Sequence, residues 1–152
     1  MKAVLQSLTG MKEDSMAQLE PTEQRPAYLC GRLLAVLEAV QYAAQGKINT
    51  TLVDRFYGAA STAPASVFGN LLGDVQAHLA KLRKTRPAAC TALQQRLETV
   101  MRGLPSFPRT LSLQDQALFG LGYYHQRAQD RADAQARKAA GDAAQTDTIE
   151  TE

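Results

Sequence analysis

Between residues 26 and 131 apolar side chains return every three or four positions. No stretch alternates Val, Ile, Thr or aromatic residues with polar ones as a half-buried strand does. The pattern predicts an all-α protein, a compact helical bundle of about five helices. A long helix follows Pro26, with Leu29, Leu33, Val36, Leu37, Val40 and Ala44 on one stripe and Gly46 as its stop. Tyr28, Ala35, Ala39 and Tyr42 lie opposite that stripe, so this helix should be touched on two sides. Asn49 can cap a shorter helix that turns Leu52, Phe56 and Ala60 inward, ahead of the turn residues from Ser61 to Pro64. Pro64 suits the first position of the next helix. There Val67, Leu71, Leu72, Val75, Leu79 and Leu82 fall in one sector, and Arg86-Pro87 marks the end. Another helix over about residues 88–102 uses Leu93, Leu97, Val100 and Met101 before the breaking stretch 103–108. Ser112 and Asp115 have the spacing of a capping box for a last helix. In that helix Ala117, Leu121 and Tyr124 are set toward the core, with Phe119, Tyr123 and Arg127 in a row on the other side.

The ends read differently. Residues 1–24 hold a weak helix over 2–8 and then a polar stretch with Gly10 and Pro21, a flexible N-terminal segment. Residues 132–152 are rich in Ala, Asp and Gln, with helix propensity but no apolar stripe, and are expected to fray into a disordered acidic tail. The basic helical bundle is thus residues 25–131, one domain of a size that buries a core without staples. Charge follows the same division. The total of +2 conceals a body with 13 Lys/Arg against 6 Asp/Glu, a net of +7, flanked by ends of −2 and −3. A basic body invites a polyanion. No apolar run approaches the ~20 residues of a membrane helix, and residues 3–8 are too short and polar for a signal peptide, so a cytoplasmic protein without membrane contact is expected. Cys30 and Cys90 lie far apart with no metal-ligand spacing around them and are expected to be buried thiols.

Enzyme constellations are missing from the sequence. It has no Gly-rich phosphate loop, HExxH pair, nucleophile elbow or carboxylate cluster for a metal, so neither catalysis nor a cofactor is expected. His78 sits at the edge of an apolar stripe, and His125 lies within Tyr123-Tyr124-His125-Gln126-Arg127. The densest basic run is Lys81-Leu82-Arg83-Lys84-Thr85-Arg86, whose charges flank the stripe on both sides and could track phosphates. Cations in a last helical turn also complement the helix dipole, so the run alone does not decide. The row of Phe119, Tyr123 and Arg127 suits base stacking beside a cation, and suits contact with another protein equally well.

Two stretches go beyond pattern. They are Ile48-Asn49-Thr50-Thr51-Leu52-Val53-Asp54-Arg55-Phe56-Tyr57-Gly58-Ala59-Ala60-Ser61-Thr62-Ala63-Pro64-Ala65-Ser66-Val67-Phe68 and Leu121-Gly122-Tyr123-Tyr124-His125-Gln126-Arg127. Both resemble the carboxy-terminal helical domain of the large subunit of type I-C CRISPR surveillance complexes (Cascade), which is also made separately as the small subunit. Pro26-Ala27-Tyr28-Leu29-Cys30-Gly31-Arg32-Leu33 and His78-Leu79-Ala80-Lys81-Leu82-Arg83 fit the same pattern, so the resemblance covers about Arg25 to Arg131. A chain of this length from Met1 is similar to the free small subunit. The resemblance implies a non-catalytic helical bundle whose partners are the backbone and large subunits with their guide RNA, a neighbouring copy of itself, and the displaced non-target DNA strand. Holding that strand would stabilise the R-loop, a nearly balanced exchange of duplexes that modest Lys/Arg contacts can tip. The candidates for strand contact are Arg55, Lys81, Arg83, Lys84 and Arg86, then Tyr123 and Arg127. Gly58 and Pro64 are better explained by turn geometry and Phe56 by the core. The alternative is a helical scaffold or adaptor that bridges subunits without touching nucleic acid.

Overall fold

The computed structural model describes residues 19–149 of the chain, with side chains through residue 145. Among the described residues there are five α-helices and no strand: α1 Pro26–Gln45, α2 Leu52–Thr62, α3 Pro64–Thr85, α4 Pro87–Met101 and α5 Leu113–Ile149. Proline opens α1, α3 and α4, where its missing amide costs nothing. Helix α2 is capped by Thr51 and not by Asn49. Thr51 Oγ1 accepts from the Asp54 amide at 3.2 Å, and Asp54 Oδ2 accepts from the Thr51 amide at 2.9 Å. The reciprocal box needs a carboxylate three residues on, and Asn49 has Leu52 there.

Helix α1 is the axis of the bundle and packs against each of the other four helices. Leu29, Leu33, Val36, Leu37 and Val40 are buried, and so are Tyr28 and Ala35 on the opposite side, as the two-sided pattern requires. Val67, Leu71, Val75, Leu79 and Leu82 of α3 close on one side of it, and Leu93, Leu97 and Val100 of α4 on another. Segment 102–112 is tied in by Leu104 and Leu111. Phe107 stacks on Phe68 with centroids 5.2 Å apart, and Thr62 O accepts from the Leu111 amide at 2.8 Å. Both cysteines are buried free thiols; burial pushes the Cys30 thiol up to about 12, and Cys90 Sγ donates to Leu79 O.

Helix α5 departs from the sequence reading in two ways. Its faces are exchanged: Phe119 and Tyr123 are buried, whereas Leu121 is 49% and Tyr124 61% exposed and Ala117 is also on the outside. The cause is glycine. Gly31 of α1 and Gly122 of α5 meet where the helices cross, and a Cβ at Gly31 would sit 2.8 Å from Tyr123 N while one at Gly122 would strike the Tyr28 carbonyl. Only the glycine-bearing face approaches this closely, and its polar groups have partners. Tyr123 Oη donates to Glu38 Oε1 at 2.8 Å, Arg32 Nε donates to Gln126 Oε1 at 2.9 Å, and Tyr28 Oη shares a 3.0 Å hydrogen bond with His125 Nδ1.

The second departure is length. Helix α5 continues to Ile149, so the part of the tail from 132 to 149, expected to fray and lose order, is helical, although every residue from 134 to 145 is exposed. Extension adds one hydrogen bond per residue fixed once a turn is nucleated, and the packed part of α5 supplies the nucleus for its Ala-rich end. The expected weak helix at 2–8, the polar stretch to residue 18 and the last three residues of the tail lie outside the described residues. Of the N-terminal segment, Glu20 is fixed by its amide donating to Tyr28 Oη at 2.9 Å.

Candidate nucleic-acid interface

Helix α3 turns its apolar sector to the core, which leaves Lys81, Arg83 and Lys84 exposed around its final turns and Arg86 exposed in the junction to α4. At 100° per residue, Lys81 and Arg83 stand on opposite flanks of the buried stripe and Lys84 at its back. Arg55 projects from α2 into a cavity of about 340 Å³ that also has Asp74, Ala77 and His78 of α3 on its wall, one turn before Lys81. None of these five cations enters an ion pair among the described residues. His78 is half-buried at that cavity, as its place at the stripe's edge suggested.

Arg127 and Tyr123 belong to a different surface. Tyr123 is 3% exposed and cannot offer a ring face to a base; burial, and after it the bond of its hydroxyl to Glu38, holds its pKa well above the ordinary phenol value. Arg127 is exposed above it, with its guanidinium 5.5 Å from the ring centroid and Nε 3.9 Å from Glu38 Oε1. Around them opens a cleft of about 450 Å³ lined by Tyr42 of α1, Tyr57 of α2 and Tyr124 of α5. Four of the five tyrosines in the chain therefore meet at one place. Sequence spacing missed this because the rings come from three helices, and only Tyr123-Tyr124 are neighbours in the chain.

Arg86 belongs to a third surface. It lines a groove of about 170 Å³ with Arg96 of α4, Arg137 of α5 and the small side chains Ala39, Ala43, Ala89 and Ala92. Arg96 is held there by a 3.1 Å contact to Asp130 Oδ1, which also accepts from Gln126 Nε2 at 2.9 Å. Burial raises the Asp130 pKa against the pull of those donors. Arg32, which donates to Gln126, is buried, and desolvation lowers its pKa. The chemistry available on these surfaces is charge and stacking. Among the described residues no three His, Cys, Asp or Glu groups are placed to hold a metal ion, and no helix is long and apolar enough to cross a membrane. His125 is buried against Tyr28 in the core.

A family model described as CRISPR-associated protein (Cas_Csd1) matches residues 1–130. No curated protein matches the chain.

Proposed function

From the premise that the chain belongs to the Csd1 family of CRISPR-associated proteins and is a CRISPR complex component, we propose that it serves as the non-catalytic small subunit of a type I-C surveillance complex. In this reading it lies against the guide-bearing backbone and large subunits, next to a further copy of itself, and helps hold the displaced non-target strand. The observation that carries the reading is the set of exposed cations Arg55 on α2 and Lys81, Arg83 and Lys84 around the final turns of α3, none of them ion-paired among the described residues. Cations of this kind bind phosphates without reading sequence, by releasing counterions.

A scaffold without nucleic-acid contact is the second reading, favoured by one observation: Arg83 and Lys84 fall in the last turn of α3, where they complement the helix dipole. The two are separated by the affinity of guide-loaded complex for target DNA, measured with and without this chain across a salt series. Strand holding predicts tighter binding and a steeper salt slope when the chain is present. Reversing Lys81, Arg83 and Lys84 to Glu should remove about 2 to 3 from that slope. A scaffold would leave affinity and slope of the reversed variant equal to the wild type.

A further inference from the structure

The tyrosine cleft and the arginine groove are linked by a smaller cavity, which gives a channel of neighbouring hollows. The cleft lined by Tyr42 and Tyr124 shares Glu38, Tyr42 and Arg127 with a smaller cavity that adds Arg131, and that cavity shares Ala39 with the groove of Arg86, Arg96 and Arg137. The channel runs beside α1 and α5, with α2 as a further wall at the tyrosine end and α4 at the arginine end. Tyr124 and Arg137 stand thirteen positions apart on α5, about 20 Å along its axis at 1.5 Å per residue. One end is aromatic, with Tyr42 46% and Tyr124 61% exposed; the remainder is floored by alanine and edged by guanidinium groups.

Five arginines line this channel against three carboxylates, and each carboxylate is already engaged. Glu38 takes the Tyr123 hydroxyl, Asp54 caps α2, and Asp130 takes Gln126 and Arg96. With Arg96 on Asp130 and Arg127 on Glu38, what remains for a ligand is exposed phenol rings followed by Arg131, Arg137 and Arg86. Tyr and Arg are enriched in protein interfaces as well, so the residue types alone do not choose; the excess of arginine over carboxylate along these hollows does, because it leaves them net positive and suited to a polyanion. Rings in series with cations are the complement of unstacked bases on a phosphate chain.

We propose that the α1–α5 channel is a track for single-stranded nucleic acid, with bases stacked on Tyr42 and Tyr124 and phosphates held by Arg131, Arg137 and Arg86. The proposal rests on the strand-holding reading and moves its main contact from the end of α3 to this channel. It also requires single strands, because a base inside a duplex has no free face for the tyrosines.

The test uses the full chain and fluorescein-labelled oligonucleotides, single- and double-stranded, DNA and RNA, followed by anisotropy over a salt series. Three variants are compared after circular dichroism confirms their fold: Tyr42→Ala with Tyr124→Ala, Arg131→Glu with Arg137→Glu, and the triple reversal of Lys81, Arg83 and Lys84. The wild type should prefer single strands. The tyrosine pair should weaken binding about fivefold or more with an unchanged salt slope, and the arginine pair should weaken it and flatten the slope by about 1 to 2. Equal binding to DNA and RNA would place the contacts on base and phosphate; preference for one would add the sugar. If both channel variants bind like the wild type while the triple reversal abolishes binding, the track is wrong and strand holding survives. If the tyrosine pair binds oligonucleotides normally but no longer joins the guide-loaded complex, the channel is a protein interface. If the wild type binds no strand even at low salt, strand holding falls together with the track.

Discussion

Gly31 and Gly122 have backbone from the opposite helix where a side chain would begin. A methyl at Gly31 meets the Phe119 carbonyl and the Tyr123 amide, and one at Gly122 meets the Tyr28 carbonyl, so neither can be relieved by a rotamer change. Gly31→Ala and Gly122→Ala are therefore expected to lower stability by about 3 kcal/mol or more, read as a fall in urea midpoint with little change in slope. Gly73 gives the opposite case. It is exposed within α3, nothing lies within 4 Å of its added Cβ, and Gly73→Ala should stabilise by about 0.5–1 kcal/mol through helix propensity alone. Equal effects at Gly31 and Gly73 would mean that the α1–α5 crossing is looser than its geometry.

Among the elements, α1, α3 and α4 were legible in the sequence because each buries a stripe of large aliphatic side chains that periodicity detects. Pro26, Pro64 and Pro87 mark their starts. Helix α5 was legible as a helix but not in orientation, since Leu121 and Tyr124 compete with Phe119 and Tyr123 for the core. The decision lies in Gly122 and in polar bonds to Glu38 and Arg32, residues 85 and 94 positions away from their partners. Of the candidate site, the exposed end of α3 was readable from its own run of cations, whereas the tyrosine cleft was not, because it draws on three helices. The polar contacts that lock α5 carry a prediction of their own. Asp130 joins Gln126 of α5 to Arg96 of α4, and burial raises its carboxyl pKa above 3.8. In the unfolded chain this carboxyl loses its proton near 3.8, whereas the folded one keeps it to higher pH, so the native state binds more protons in that window. Its contribution to stability then falls as pH climbs from 3.8 through the raised value and levels off above it. Asp130→Asn removes this titration. Subtracting its pH profile of unfolding free energy from that of the wild type should leave the fall, and a flat difference would mean that Arg96 and Gln126 fully offset the burial.

For the whole molecule, the separation of charge matters more than the total. The body is basic, while the far end of the chain carries Asp142, Asp147, Glu150 and Glu152 with no Lys or Arg beyond Lys138. Ending the chain after Lys138 would remove four negative charges and take the net from +2 to +6. It should cost little stability, because residues 139–145 are exposed and bury nothing. A polyanion approaching the Arg137 end of the α1–α5 channel would then meet less repulsion. The shortened chain is expected to bind single-stranded DNA several-fold more tightly at low salt, with the gain fading as the screening length contracts to about 8 Å at physiological ionic strength. The full chain would then be a binder whose own end moderates its affinity, a property suited to a contact that must form and release. An unchanged affinity at low salt would instead place the strand far from Arg137 and return the contact to the end of α3.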